Sequence, residues 1–261
     1  MRYNGIVTSL LCLAAALAFA APEPALELKL NDGKFDGLAC TGTIAGQQEI
    51  SVSVANPGLL EWVDGRAEES KALYFNRNLP KDAKRGTIGS VVIGNRTKDG
   101  KPVIDFTKPF TVMFWMQQDK DSERSRQYEV FSTARGDRGP GLRVGVGWDS
   151  FRVSSGDGKK SWAIAIPYAK CQTVKGNWSH VAFSWDGTAA RLYINGIKFV
   201  EKSGEEFPSV TRGENNMYVG SYRGGYAYGF TGIVSDVKVY TSALGDAEIL
   251  SVAKNLDGNE D

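Results

Sequence analysis

One histidine, His180, serves the whole 261-residue chain. A metal centre built on several imidazoles is excluded, and a Ser-His-Asp hydrolase would have to use this one ring. Cysteine is nearly as scarce. Cys12, Cys40 and Cys171 show no Cys-x-x-Cys spacing, which argues against a thiolate metal site. An excess of one charge is missing too. Lys and Arg number 31 against 30 Asp and Glu, with no basic block, a poor match to nucleic acid or an anionic membrane. Beyond the first twenty residues no apolar run approaches the ~20 residues a transmembrane segment needs.

What is present begins with a leader. Arg2 gives a positive start, Ile6 to Leu17 an apolar stretch, and Ala18-Phe19-Ala20 a small-x-small cleavage site, so residues 1–20 read as a signal peptide. The expected organisation is a signal peptide over 1–20, one domain over 21–255 and a polar tail over 256–261. The expected location is secreted: extracellular, or the periplasm or cell envelope of a bacterium. In such an oxidising compartment Cys40 and Cys171 read as a disulfide, in preference to a nucleophile or a metal ligand. A bridge of that kind typically contributes ~2–4 kcal/mol.

Alternation dominates the rest. Leu26–Leu30, Gln48–Ala55, Leu59–Val63, Ala72–Phe75 and Thr87–Gly94 read as strands between turn signals such as Asp64-Gly65 and Asp99-Gly100. Phe110–Met116 is apolar on nearly both parities, the pattern of a central strand. Tyr128–Phe131, Leu142–Val146, Phe151–Val153, Trp162–Ile166, Met217–Gly220 and Phe230–Tyr240 continue the series. In Trp178–Trp185, Val181, Phe183 and Trp185 share one face while His180, Ala182 and Ser184 are small or polar, which predicts a half-buried strand. Asp186-Gly187 and Asn195-Gly196 then mark hairpin turns. Only Asp246–Lys254 has a helical pattern, with Ile249, Leu250 and Ala253 on one side. The expected fold class is all-β: an antiparallel two-sheet β-sandwich, a jelly roll, with one short C-terminal helix.

The ordered set Phe110–Trp115, Trp178–Phe183, Leu192-Tyr193-Ile194-Asn195-Gly196, Gly232–Tyr240 and Glu248-Ile249 resembles laminin-G-like jelly-roll domains of the concanavalin-A-like lectin/glucanase superfamily. The resemblance runs from about Leu26 to Ala253 and is weakest over 33–70. It implies two curved antiparallel sheets packed face to face. It implies no one reaction, since the fold hosts lectins, adhesion modules and enzymes. Superfamily members that hydrolyse β-glucans carry Glu-x-Asp-x-Glu on one strand face, as retaining glycosidases need. No such run occurs, and Asp119–Glu123 and Glu61–Asp64 have the wrong order or sit by a turn. The chain is therefore expected not to be an enzyme, and His180 to be a packing residue, where the family places a structural histidine.

By position the resemblance points to calcium at Asn31 and Asp32, ending the first strand, and at Asp236 in the closing strand. Ser235 stands where a second acid is common, and a solvated acid is the alternative. For a glycan, Tyr222-Arg223-Gly224-Gly225-Tyr226-Ala227-Tyr228-Gly229 offers flat rings and a guanidinium on a glycine-rich loop, with Trp148 and Asp149 second. The same rings alternatively cover a sheet edge. Arg135-Gly136-Asp137 reads as a hairpin connection, and Asn95-Arg96-Thr97 is a glycosylation sequon. The expected partners are a glycan or an extracellular or cell-surface protein, with a purely structural envelope or matrix module as the rival.

Overall fold

A computed structural model describes residues 22–30, 51–76, 86–122, 128–214 and 216–255. In chain order the strands are β1 (Leu26–Leu28), β2 (Val52–Ala55), β3 (Leu60–Asp64), β4 (Lys71–Phe75), β5 (Ser90–Gly94), β6 (Phe110–Gln118), β7 (Tyr128–Ser132) and β8 (Gly141–Val146). They continue as β9 (Ser150–Gly156), β10 (Ser161–Pro167), β11 (Trp178–Trp185), β12 (Ala189–Ile194), β13 (Ile197–Ser203), β14 (Asn216–Val219) and β15 (Gly232–Tyr240). One helix, α1 (Asp246–Asn255), follows. Every strand pair is antiparallel.

The strands form two sheets. The eight-stranded sheet runs β13-β12-β11-β6-β15-β4-β3, with β1 also on β15, and the seven-stranded sheet runs β10-β9-β8-β7-β14-β5-β2. Alternate residues of both turn inward to one core. Phe110, Val112, Phe114 and Met116 of β6 and Val181, Phe183 and Trp185 of β11 meet Phe131, Leu142, Val144 and Val153 from the facing sheet. Burying a large apolar side chain contributes roughly 1.5–3 kcal/mol, so this inward parity holds the sandwich together. The jelly-roll class and the single C-terminal helix match the sequence reading.

The half-buried reading of β11 does not hold. His180, Ala182 and Ser184 are as buried as their inward neighbours. A second core explains it. Met113, Ala182 and Tyr193 on the outer face of the eight-stranded sheet pack with Tyr240 of the closing strand, Leu244 of the connection after it, and Ile249 and Val252 of α1. Small residues on β11 let the helix approach, and Ser184 Oγ donates 3.2 Å to the Leu244 carbonyl. Alternation in a strand reports two faces but not what later covers them.

β15 carries the main irregularity. Its register against β6 shifts between Ser235 and Lys238, and Asp236 sits there at φ 52. The one extra residue forms a bulge that bends the strand, and the Asp236 N–H donates to the Lys29 carbonyl.

Candidate functional site

The segment after β14 is a tight, glycine-dependent loop on the outer face of the seven-stranded sheet. Arg223, Gly224, Gly225 and Tyr228 all have positive φ, at 51, 65, 94 and 52°. Left-handed backbone is ordinary for glycine and strained for tyrosine. The surroundings enforce it. The Ile88 N–H donates to the Gly225 carbonyl and the Gly86 N–H to that of Tyr226, while the Glu129 N–H donates 2.9 Å to that of Tyr228. A Cβ on Gly225 would stand 2.2 Å from the Ile88 carbonyl oxygen. Such strain, held from several sides, is a pointer to function.

The loop lays three tyrosine rings together. Tyr222 packs edge-on against Tyr226 and Tyr228, with ring centres 6.1 and 5.9 Å apart. Tyr222 is buried, and its hydroxyl donates to the Arg135 carbonyl. Tyr226 is exposed at 39%. Tyr228 donates from its hydroxyl to Asp137 Oδ1 at 3.0 Å. Burial, reinforced by that bond, raises the Tyr228 phenol above its usual range. The Arg135-Gly136-Asp137 tripeptide thus occupies the β7–β8 connection, with Asp137 buttressing the loop.

Beneath the rings lie two charged strand residues that sequence reasoning missed. Arg143 on β8 faces outward because Leu142 and Val144 belong to the core. Its guanidinium lies 4.6 Å from the Tyr228 ring centre, and Nη1 donates 3.1 Å to the Asp137 carbonyl. Its Nε pairs closely with Oε1 of Glu129 on β7, and both side chains are buried. Burial pushes the Glu129 carboxyl up to about 7, against the pull of Arg143. The other Glu129 oxygen has no partner. At the rim, Arg223 Nε pairs with Glu214 at 3.3 Å and lies over Tyr226 at 5.7 Å. The site offers an exposed ring face, a phenol, and guanidinium groups fixed by ion pairs. That combination suits stacking and hydrogen bonding.

The structure therefore gathers Tyr222, Arg223, Tyr226 and Tyr228, with Tyr222 as a supporting rather than a contacting ring. Trp148 and Asp149 lie apart, in the turn from β8 to β9. Lys175 Nζ sits 3.0 Å from the Trp148 ring centre, and the Asp149 carbonyl accepts from the Tyr168 N–H at 2.8 Å. Of the calcium candidates, Asn31 and Asp32 lie outside the described residues. Asp236 is half-buried; burial raises its carboxyl, Glu27 adds to this, and Ser235, Lys238 and Arg66 oppose it. No cluster of three His, Cys, Asp or Glu occurs among the described residues. Cys171 is a buried free thiol, pushed up to about 11 by burial, and Cys40 lies outside the described residues. His180 is buried against Trp115, its ring nitrogens without partners.

The match to known families decides the affiliation. A family profile described as the concanavalin A-like lectin/glucanases superfamily covers residues 86–250. The chain belongs to that superfamily. The matched span holds the tyrosine loop, Arg143 and Glu129. The sequence matches no curated protein. Among solved structures, the binding domain of Paraclostridial Mosquitocidal Protein 1 aligns with a TM-score of 0.64 and 16% identity over 90% of this chain and 52% of that one. The botulinum neurotoxin serotype D ligand-binding domain, solved in complex with N-acetylneuraminic acid, aligns at 0.61 with 13% identity, over 89% and 51%. Domain 4 of AbnA, a GH43 extracellular arabinanase from Geobacillus stearothermophilus, in complex with arabinotriose, aligns at 0.58 with 16% identity, over 89% and 99%. The chain spans about half the length of the toxin binding domains. At these identities the likeness establishes a superfamily fold shared with binding domains. No described helix is long and apolar enough to cross a membrane.

Proposed function

We propose that this superfamily member is a non-catalytic recognition module that binds carbohydrate on the outer face of its seven-stranded sheet. Tyr226 stacks on a sugar ring, and Tyr228 and Arg223 read its polar groups. One observation carries the reading. The exposed Tyr226 ring and the Tyr228 phenol stand on a strained loop fixed over a buried ion pair, an expense of conformation that sheet-edge cover does not require. The solved complexes of similar fold with N-acetylneuraminic acid and arabinotriose support a glycan as the ligand.

A glycan array followed by calorimetric titration tests it. Tyr226→Ala should weaken binding of the best glycan about tenfold, equivalent to about 1.4 kcal/mol, with the fold intact because the ring is exposed. Tyr228→Phe should weaken it less. Unchanged affinity in both variants would remove the site, and an array without binders would favour a protein partner. Reproducible release of products from β-glucans would overturn the non-catalytic assignment.

A further inference from the structure

The strand paths of the two sheets end at β13, β3, β2 and β10, and the first three are guarded. β13 carries Lys198, Glu201 and Lys202, and its pairing with β12 shifts register. β3 carries Glu61 and Asp64, and β2 is only four residues long. Charge, irregularity and shortness are the usual defences of a sheet edge. β10 has none of them. Its seven residues, Ser161-Trp162-Ala163-Ile164-Ala165-Ile166-Pro167, include no charge and pair with β9 in unbroken register. The one proline stands at the last position.

The ladder tells which backbone groups of β10 are left over. At one end the Asp157 N–H donates 3.2 Å to the Lys160 carbonyl, and at the other the Tyr168 N–H donates 2.8 Å to the Asp149 carbonyl. Bonded and non-bonded couples alternate along an antiparallel pair. Counting inward from either end gives the same answer. Trp162, Ile164 and Ile166 exchange bonds with β9, while Ser161, Ala163 and Ala165 turn N–H and C=O away from it. Those three residues are exposed, and among the described residues no hydrogen bond reaches their outward groups. Their short side chains leave room for another backbone. On the inner side, the half-buried Trp162 of β10 and Phe199 and Val200 of neighbouring β13 pack against the core where the sandwich opens.

We propose that β10 receives an extended peptide of another protein as an added strand, with apolar residues at alternate positions and acidic residues at its ends. The peptide backbone bonds to the outward N–H and C=O groups of Ser161, Ala163 and Ala165. Its inward side chains cover Trp162, Phe199 and Val200, and its outward ones lie beside Ala163 and Ala165. Exposed Lys159 and Lys160 flank one end of the strand and Lys170 the other. The acid nearest them, Asp157, is already held by the N–H groups of Lys159 and Lys160. Acidic peptide ends match these lysines. The same lysines weigh against a second copy as the occupant, since antiparallel pairing about a two-fold axis brings the Lys159–Lys160 end of each copy to the Lys170 end of the other. The edge stands apart from the tyrosine loop, which lies over β7 and β8, and its assignment does not rest on the function proposed there.

The test titrates ¹⁵N-labelled protein with an end-capped peptide that alternates Thr and Val and carries Glu at both ends, and with its Lys-ended twin. With the Glu-ended peptide the amide signals of Ser161, Ala163 and Ala165 should shift saturably, with a Kd of about 1 mM or below, and equally in Tyr226→Ala. The Lys-ended peptide should bind about threefold more weakly or worse at low salt, with the gap closing at high salt. Ala163→Pro removes an N–H that β9 does not use, on an edge where proline is tolerated, and should weaken binding about tenfold or more. Peptide chemistry gives the same answer without a variant: methylating one alternate set of peptide nitrogens should abolish binding, and methylating the other should not. Stationary signals up to the solubility limit of the peptide would overturn the proposal. So would equal binding of the two twins, equal tolerance of both methylations, or a dimer in sedimentation equilibrium that Ala163→Pro dissolves.

Discussion

Arg143 and Glu129 make the buried ion pair under the tyrosine loop, and their value lies in being together. Removing one charge from such a pair leaves the other stranded, whereas replacing both with apolar groups is often nearly neutral. Arg143→Met should therefore cost about 3–5 kcal/mol in urea denaturation at pH 7, and Glu129→Leu with Arg143→Met much less. A single-variant loss near that of the double variant would mean that the pair does not support the loop. Tyr222, Arg223, Tyr226 and Tyr228 were legible in the sequence because glycines around aromatic residues announce a loop. Arg143 and Glu129 were not, because a charged residue in an alternating strand reads as solvent-facing. The loop that buries them comes from about eighty residues further along. Asn95 shows the same limit. Its amide is buried and engaged at both ends, accepting from the Ile104 N–H and donating to the Ile104 carbonyl, so this sequon is a structural clamp.

At the scale of elements, the two hairpin turns around β12 separate backbone strain from packing. Asn195 and Gly196 have φ of 52 and 79°, the mirror-image turn that their identities predict. The tip presses on α1: a Cβ on Gly196 would lie 2.7 Å from Leu250 Cδ1 and 3.1 Å from its Cα. Gly187, at φ 99°, has open space around its Cβ position. Gly187→Ala should then cost about 1–2 kcal/mol from backbone strain, and Gly196→Ala about 1–3 kcal/mol more, because the helix must shift. Equal losses in urea midpoint would show that the turn does not bear on the helix. Most strands could be read in advance because inward parity is written locally in residues such as Val181, Phe183 and Trp185. The burial of His180 and the bulge at Asp236 could not, since one depends on a helix some seventy residues away and the other on register with β6.

Across the whole molecule, two buried groups on opposite sheets set the response to mild acid, and they act in opposite directions. His180 falls from 6.5 to about 3 because burial penalises its charged form, with Arg66 and Lys238 adding to the effect. Between those values the unfolded chain binds a proton that the fold refuses, so stability rises with pH across that window. Glu129 rises from 4.5 to about 7 through burial. Between those values the fold keeps a proton that the unfolded chain has released, so stability falls as pH rises. The windows overlap from pH 4.5 to 6.5, where a full proton difference at either site is worth about 1.4 kcal/mol per pH unit. Carboxylates held low, such as Asp246 through its hydrogen bond from Tyr193, act mainly below this range. The parent protein should therefore show a shallower pH dependence of stability from pH 4.5 to 6.5 in urea denaturation than a protein lacking either group. Glu129→Gln should expose the His180 limb, with stability climbing as pH rises, and His180→Leu should expose the Glu129 limb, with stability declining. Parallel profiles in all three proteins would mean that neither group titrates as its burial requires. The profile of the parent would then come from sites elsewhere, and the two buried groups would be spectators to acid.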